Sequence, residues 1–356
     1  MSELRQDPTT REWVIMAPER ARRPQQTLKR KSTEVFPDWD KSCPFCPGNE
    51  EQTPSKVFSI PSSNEDSGWD VKVVPNKFAA LSMELGKPQT EEGRLTRGMD
   101  GFGVHEVIIE SPSHNTTMAL MTYQQVEKIL TAYQQRYNTL KRNKRLKFVT
   151  IFKNNGRGSG TSLAHPHSQL VATPIMTPYF HKRFDIAVDY YADTGRCLYC
   201  DILVGEIERK DRIIAETKQF VIFNPYASRV SYETWIIPKE HSSSFGLFPA
   251  SGLSELSIAL KDTLFCLYSE LDDPAYNLMV ANTITEDEDN PYYHWHIRVV
   301  PRLSMIAGFE IGSSIYMNST LPEDAAQIMR QCCISYLKEG KACLTPPTPL
   351  PTSNTE

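Results

Sequence analysis

Asn154–Leu170 reads NNGRGSGTSLAHPHSQL, and the fold is read outward from this stretch. Three glycines alternate at Gly156, Gly158 and Gly160, with Arg157 among them. Glycine lets backbone N–H groups turn inward and approach an anion closely. Ser162 adds a hydroxyl donor, and His165-Pro166-His167-Ser168-Gln169 follows. In an extended segment, side chains two apart share a face. His165, His167 and Gln169 then point the same way beside a phosphate cradle. One imidazole can bind metal or orient its neighbour, and the other can attack phosphorus. Gln169 can donate to a phosphoryl oxygen. A lone glycine-rich loop is most often an ordinary turn, and a lone histidine most often a core residue. The combination within one short stretch predicts a catalytic phosphate site.

The elements around this stretch occur twice. In the first half, Cys43-Pro44-Phe45-Cys46 has the look of a zinc-knuckle turn. Strands follow at 71–74 and 104–110, and Ser111-Pro112-Ser113-His114 turns out of the second. A helix over 122–140 shows Val126, Leu130, Tyr133, Tyr137 and Leu140 at helical spacing. A strand over 147–153 leads into the glycines. In the second half the order is Cys197-Leu198-Tyr199-Cys200, strands at 220–223 and 234–237, then Pro238-Lys239-Glu240-His241. A helix over 253–271 carries Leu256, Leu260, Leu264, Leu267 and Leu271 on one face. A strand at 278–281 and a loop lead to His294-Trp295-His296. His114 and His165 are 51 positions apart, and His241 and His294 are 53 apart. That agreement predicts an α+β fold of two similar halves, 1–180 and 181–343, each a mostly antiparallel sheet with packed helices. Residues 30–42 read as linker and 83–101 as loop. Thr320-Leu321-Pro322-Glu323 reads as a capping box opening a helix to about 339. The Pro-rich tail, 344–356, reads as disordered.

The bulk numbers set bounds. A chain of 356 residues allows one large domain or two ordinary ones, and an apolar fraction of 40% supports a substantial core. A net charge of −4 argues against nucleic-acid or membrane partners held by electrostatics. The first residues, MSELRQDPTT, contain no apolar signal segment, and no run approaches membrane-spanning length, so a cytoplasmic protein is expected. Eight cysteines in that compartment are reduced, so paired ones suggest metal. Cys266, Cys332, Cys333 and Cys343 lack ligand spacing and read as core or incidental.

Two Cys₂His₂ sets can be drawn: Cys43, Cys46, His114 and His165, and Cys197, Cys200, His241 and His294. Neither leaves an open position, so each Zn²⁺ would be structural, tying an HxH strand to a distant CxxC. The halves differ upstream of HxH. The first has Gly, Arg and Ser there, and the second has Glu286-Asp287-Glu288-Asp289, which would repel a phosphate. His167 is therefore the expected nucleophile and His296 its degenerate copy, although Arg298 stands where Gln169 stands.

These residues resemble the galactose-1-phosphate uridylyltransferase family of the histidine-triad superfamily, over about residues 5–340. HPHxQ with an upstream GxS is quite specific to that branch. The resemblance implies two histidine-triad-like halves and ping-pong nucleotidyl transfer. His167 attacks the α-phosphorus of a nucleotide sugar and releases a sugar 1-phosphate. A second sugar 1-phosphate, or phosphate, then collects the nucleotidyl group. Gln169 stabilises charge on the phosphoryl oxygens, and Ser162 assists. The resemblance places zinc on Cys43, Cys46, His114 and His165. It places nucleotide and phosphate contacts on Arg20, Arg23, Asn76, Phe78, Asn154, Gly160, Ser162 and Gln169, and sugar contacts near Phe309 and Glu310. It also implies an active site at a homodimer interface. Two features depart from familiar uridylyltransferases. Arg183 lies near a position where they carry a Glu metal ligand, and the C-terminal segment lacks their lysine and glutamine. GFEIG (308–312) followed by PED (322–324) looks more like the ADP-glucose phosphorylase branch. A UDP-glucose–hexose-1-phosphate uridylyltransferase is the leading expectation and an ADP-glucose phosphorylase the alternative. A dinucleotide hydrolase and a non-enzymatic zinc-stabilised binding protein stand further off.

Overall fold

Short apolar runs broken by Pro, Asn and Gly make strands, and leucines at helical spacing make the helices that cover them. The structure, a computed structural model, describes residues 1–22, 36–62, 68–85, 90–92, 95–340 and 344–345. In chain order the first elements are β1 (Glu3–Gln6), β2 (Trp13–Met16), β3 (Phe58–Ile60), β4 (Val71–Pro75), β5 (Thr90–Glu92) and β6 (Arg97–Met99). Then come β7 (Val104–Ile109), α1 (Tyr123–Leu140), β8 (Phe148–Asn155) and β9 (His167–Thr173). Next are α2 (Pro178–Thr194), α3 (Leu198–Arg209), β10 (Ile213–Glu216), β11 (Phe220–Phe223) and β12 (Thr234–Pro238). The last are α4 (Leu253–Glu270), β13 (Tyr276–Ala281), β14 (His296–Pro301), α5 (Gly308–Ser313), β15 (Tyr316–Asn318) and α6 (Pro322–Lys338).

Ten strands form one sheet in the order β10-β11-β12-β14-β13-β8-β9-β7-β4-β3, with every neighbouring pair antiparallel. The order is the same read from either end: β10 to β13 in the second half matches β3 to β8 in the first. The two sets of five meet where β13 pairs β8, with Asn277 opposite Asn154 and Tyr276 opposite Asn155. The sequence reading expected a sheet in each half, and the two are continuous here. β1, β2 and β15 form a separate three-stranded sheet in which β15 runs parallel to β2.

The main core lies on one face of the large sheet, under α1, α4 and α6. It takes Val126, Leu130, Tyr133 and Tyr137 from α1, Leu256, Leu260, Leu264 and Leu267 from α4, and Leu170 and Ile297 from the sheet. The opposite face carries two smaller clusters. One surrounds the first CxxC, with Phe45, Trp69, Val74, Val107 and Ile109. The other lies under α2 and α3, with Phe180, Tyr199, Trp235 and Tyr293. Because side chains alternate along β9, Leu170 and Ala172 enter the main core while His167 and Gln169 stand on the opposite face.

Several expectations are corrected. Residues 83–101 contain a short helical turn, Met83–Leu85, and the β5–β6 hairpin rather than loop alone. The second CxxC opens a helix that the sequence reading did not include: Cys197 is the N-cap of α3 and Cys200 lies inside it. The capping box at Thr320 does not form: Leu321 is the N-cap, and the Thr320 N–H donates instead to Asn318 Oδ1 at 3.0 Å. Leu344 is buried and donates its N–H to Asp262 Oδ2, and Thr345 pairs with Glu216, so the start of the tail is packed. The rest of the tail, Cys343, Arg23 and residues 30–35 of the linker lie outside the described residues. Cys266, Cys332 and Cys333 are buried in the main core. Among the described residues no helix is long and apolar enough to cross a membrane.

Candidate active site

The first Cys₂His₂ set is assembled. The ligand atoms of Cys43, Cys46, His114 and His165 all lie within 4.8 Å of one another, and all four residues are buried. The CxxC turn is held by Asn49, whose amide donates to the Cys43 and Asp40 carbonyls at 2.8 and 3.1 Å. The turn after β7 delivers His114, and its N–H donates to the Asp38 carbonyl at 2.9 Å. His165 Nε2–H donates to the Ser111 carbonyl at 2.8 Å, which leaves the Nδ1 lone pair facing the thiols. Cys46 Sγ is 3.5 Å from His114 Nδ1 and 3.7 Å from His165 Nδ1. Around a tetrahedral ion with zinc-like bond lengths, sulfur–nitrogen edges are about 3.5 Å, so the donor set fits such an ion. Burial, with the Cys46 thiol beside it, pushes the Cys43 thiol up to about 11, so a thiolate pair here calls for a cation.

The second set is gathered less completely. Cys197, Cys200 and His241 group within 4.8 Å. His241 Nδ1 and His294 Nδ1 lie 3.3 and 3.4 Å from Cys200 Sγ. His241 Nε2–H donates to the Asn290 carbonyl at 3.0 Å. Hydrogen bonding from Cys200 and from His241 outweighs burial and holds the Cys197 thiol below the usual thiol range. These residues can also hold a metal ion.

His167 opens β9 and is buried. Its Nδ1–H donates to the His165 carbonyl at 2.8 Å, which leaves the lone pair on Nε2. Burial first, and then the Lys153 ammonium, hold the imidazole below its ordinary pKa. A buried support lies on the other face of the strand. Lys153 Nζ is 2.6 Å from Glu110 Oε2 and 3.3 Å from the His167 carbonyl. Ser168 bridges Tyr133 and Glu110. This arrangement fixes the backbone that carries an unprotonated Nε2, which suits nucleophilic attack.

Of the expected nucleotide and phosphate contacts, Asn154 and Gln169 lie on the His167 face, and Asn76 and Gln169 both meet His105. Gly156, at φ +77°, lies so close to Ala275 that an added Cβ would sit 3.0 Å from the alanine Cβ. Gly160 caps the short turn Arg157–Ser159 at φ +92°. Asn154 and Gln169 share the face of His167, because Phe152 pairs with Gln169 and Asn154 lies two residues on. Asn76 follows β4, and its Oδ1 accepts the Phe78 N–H at 2.9 Å. Ser162 lies exposed in the loop before His165, and the Phe78 ring is 85% exposed. Arg20 is partly exposed in the helical turn Pro18–Arg22. Phe309 and Glu310 lie on α5, where Glu310 Oε2 accepts the Ala307 N–H. The hydrogen bonds of Phe309 and Glu310 stay within the α5 segment, where the Ser313 hydroxyl donates to the Phe309 carbonyl, and α5 packs against β15.

The sequence reading missed His105, Asn277, Lys153 and Glu110. His105 Nε2 is 2.8 Å from Gln169 Oε1, and Asn277 Nδ2 is 2.7 Å from Asn154 Oδ1. Both partnerships come from strand register, and no local spacing advertises them.

The second HxH is closed. His296 is buried and stacks on Trp235 at 4.3 Å between ring centroids, and burial drives its pKa well below the ordinary value. Arg298 Nη2 is 2.6 Å from Glu233 Oε1, and Arg298 also donates to Tyr179. Arg183, near the position of the expected Glu, is buried beside Asp7 and donates to Thr9. Glu286 pairs with Lys147 and Glu288 with Lys141, so two carboxylates of the acidic run are already matched by cations. Covering by Trp235 and the Arg298–Glu233 pair closes this site.

Comparison with known proteins agrees with this architecture. The model of the galactose-1-phosphate uridyl transferase N-terminal domain matches residues 1–177, and that of a domain of unknown function, DUF4921, matches residues 110–342. An ADP-glucose phosphorylase of Arabidopsis thaliana is 37% identical over 337 residues, covering 94% of this chain and 93% of its own. A galactose-1-phosphate uridylyltransferase of Thermotoga maritima is 27% identical over 340 residues, covering 93% of this chain and 98% of its own. The crystal structure of an Arabidopsis thaliana ADP-glucose phosphorylase with bound ADP-glucose superimposes with a TM-score of 0.80 at 36% identity, covering 93% of this chain and 98% of that one. The chain belongs to the galactose-1-phosphate uridylyltransferase family, together with the ADP-glucose phosphorylase that shares its fold.

Proposed function

We propose that the protein transfers a nucleotidyl group from a nucleotide sugar through a covalent intermediate on His167. The observation that carries this reading is the His167 ring itself: Nδ1–H is tied to the His165 carbonyl, and Nε2 is left as a base on the face shared with Asn154 and Gln169. His167 Nε2 attacks the α-phosphorus as the bond to the leaving phosphate oxygen breaks, releasing a sugar 1-phosphate. The His165 carbonyl supports the positive ring that results. An oxygen of the acceptor phosphate then takes the phosphorus back, so no net proton is needed. Asn154, Gln169, the glycine-loop backbone and Ser162 bind the phosphoryl oxygens, with Asn76, Phe78, Arg20 and Arg23 toward the nucleotide.

The uridylyltransferase assignment and the phosphorylase alternative differ in base and acceptor. The higher identity to the Arabidopsis phosphorylase, with the GFEIG and PED segments, favours an adenylyl group and phosphate. Zinc is the ion proposed for both Cys/His sets, where it would pin each HxH strand. The chain divides, on this reading, into a catalytic half, 1–180, and a degenerate half, 181–343, and works in the cytoplasm. Phe309 and Glu310 are the proposed sugar contacts, and a homodimer is the proposed assembly.

Intact-mass measurement after brief exposure to ADP-glucose or UDP-glucose, with His167→Gly as control, tests the proposal. A nucleotidyl adduct on the wild type, absent from the variant, is expected. An AMP adduct discharged by phosphate identifies the phosphorylase reaction, and a UMP adduct discharged by galactose 1-phosphate identifies the uridylyltransferase. An adduct that survives in His167→Gly would overturn the choice of nucleophile.

A further inference from the structure

Gly205 stands in the interior of α3, where a glycine weakens the helix and usually answers a close contact. No contact calls for it, since a Cβ added there would meet nothing within 4 Å. Gly205 instead lines a cavity of about 180 Å³ whose walls include Phe223, Trp235, Tyr226, Pro225 and Ile202. Arg209 also lines it, with a side chain 63% exposed and an exposed partner, Asp211, at 3.7 Å. Strand register shows what this cavity corresponds to. Val107 pairs with Gln169 on one side and Val74 on the other, and Trp235 pairs with Arg298 and Phe223. Phe223 therefore holds the place of Val74. Pro225 and Ala227, two and four residues further on, hold the places of Asn76 and Phe78, and both line the cavity. The first half has a cavity of about 490 Å³ at Val74. Each cavity is walled by the chain that follows a CxxC pair, with Thr53 and Pro54 in the first half and Ile202 and Gly205 in the second.

We infer that the cavity beneath α3 is a second nucleotide site, which takes a nucleobase against its aromatic walls and meets the attached phosphate with Arg209. The inference rests on the nucleotide contacts proposed at Asn76 and Phe78. Phe223 and Trp235 are bulkier than Val74 and Val107, and the second space is the smaller one, suited to a single ring system rather than a whole nucleotide. Aromatic walls suit the flat face that every base presents. The ribose and phosphate then stay outside. Arg209 can turn to that phosphate, because an exposed ion pair such as the one with Asp211 is worth little. Gly205 leaves open the space that any larger side chain at this position would take up. Binding here leads to no transfer, because Trp235 lines the cavity and also stacks on His296, covering the only imidazole in the place of His167.

Photolabelling of the full chain with 2-azido-AMP and 5-azido-UMP, followed by peptide mapping, tests this. Label is expected from at least one probe in the peptides that carry residues 202–209 or 223–235, as well as in those around residues 74–78. Gly205→Leu, which fills the cavity, should cut the second-half label by about tenfold or more and leave the first-half label within about twofold. Arg209→Glu changes only an exposed side chain. It should raise the probe concentration for half-maximal second-half labelling by about three- to tenfold for the azidonucleotide, and leave it unchanged for the azidonucleoside. Absence of label from the second half overturns the inference, whatever the first half does. So does second-half label that survives Gly205→Leu in a variant that melts as wild type does, or, should that variant not fold, label that Arg209→Glu leaves untouched. Label in the second half alone would sustain the second site and fail the nucleotide reading of the first.

Discussion

Lys153 is almost fully buried, and it can stay charged there because Glu110 meets it at 2.6 Å. Lys153→Met would strand the Glu110 carboxylate and is expected to lower stability by about 3–5 kcal/mol in denaturant titration. Adding Glu110→Gln should recover much of that loss, because no unpaired charge then remains. A variant as stable as wild type would mean that the carboxylate finds another partner. The same comparison shows what single residues disclose in a sequence. His165, His167 and Gln169 were legible because one extended strand puts alternate side chains on one face, and the four donors of the first metal set because cysteine and histidine spacing is itself the signal. His105 was not legible. A lone histidine in a strand looks like any polar residue, and its importance comes from Val107 pairing with Gln169.

Among elements, α1 and α4 were legible because their buried stripes repeat with helical period, and Thr122 caps α1 by accepting from Gln125 N at 3.1 Å. α2 was missed because its buried side is interrupted by Arg183, a charge made tolerable by Asp7 far away in the chain. α3 was missed because a CxxC pair suggests a turn, and here the pair lies across the helix start. Strand interiors agreed with expectation, while ends shifted: β8 runs on to Asn155, taking Asn154 into the pairing with Asn277. The glycine loop that follows is a packed element. Gly156→Ala must adopt a left-handed backbone and push against Ala275, at a cost of about 1–3 kcal/mol. Because that contact spans β8 and the segment before β13, the expected result is a weaker donor Kd as well as a lower melting temperature. Unchanged donor binding would show that the loop backbone plays no part in the cradle.

At the scale of the molecule, the N-terminal segment reaches into the second half, where Asp7 and Thr9 meet Arg183. Burial works to raise the Asp7 carboxyl, but Arg183 and the Thr9 donors outweigh it and hold it below the ordinary carboxylate range. The pair therefore stabilises the fold fully above the unfolded carboxylate value of about 4, and loses that contribution as pH falls through the lower folded value. Asp7→Asn should cost about 3 kcal/mol near neutral pH, and its deficit against wild type should shrink in acid. A deficit that is constant with pH, followed by denaturant midpoints, would exclude the ion pair as its source. The duplicated order was legible in the sequence. The closure of the second site was not, since Trp235 and Glu233 carry no spacing that marks them as a cover. The β8–β13 seam has a consequence for biosynthesis. When the first half leaves the ribosome, β9 already covers one edge of β8, but the other edge stays open until Ala281 has been made. A nascent chain paused between the halves therefore displays an unpaired strand edge, the kind of surface that chaperones shield and neighbouring chains on a polysome can capture.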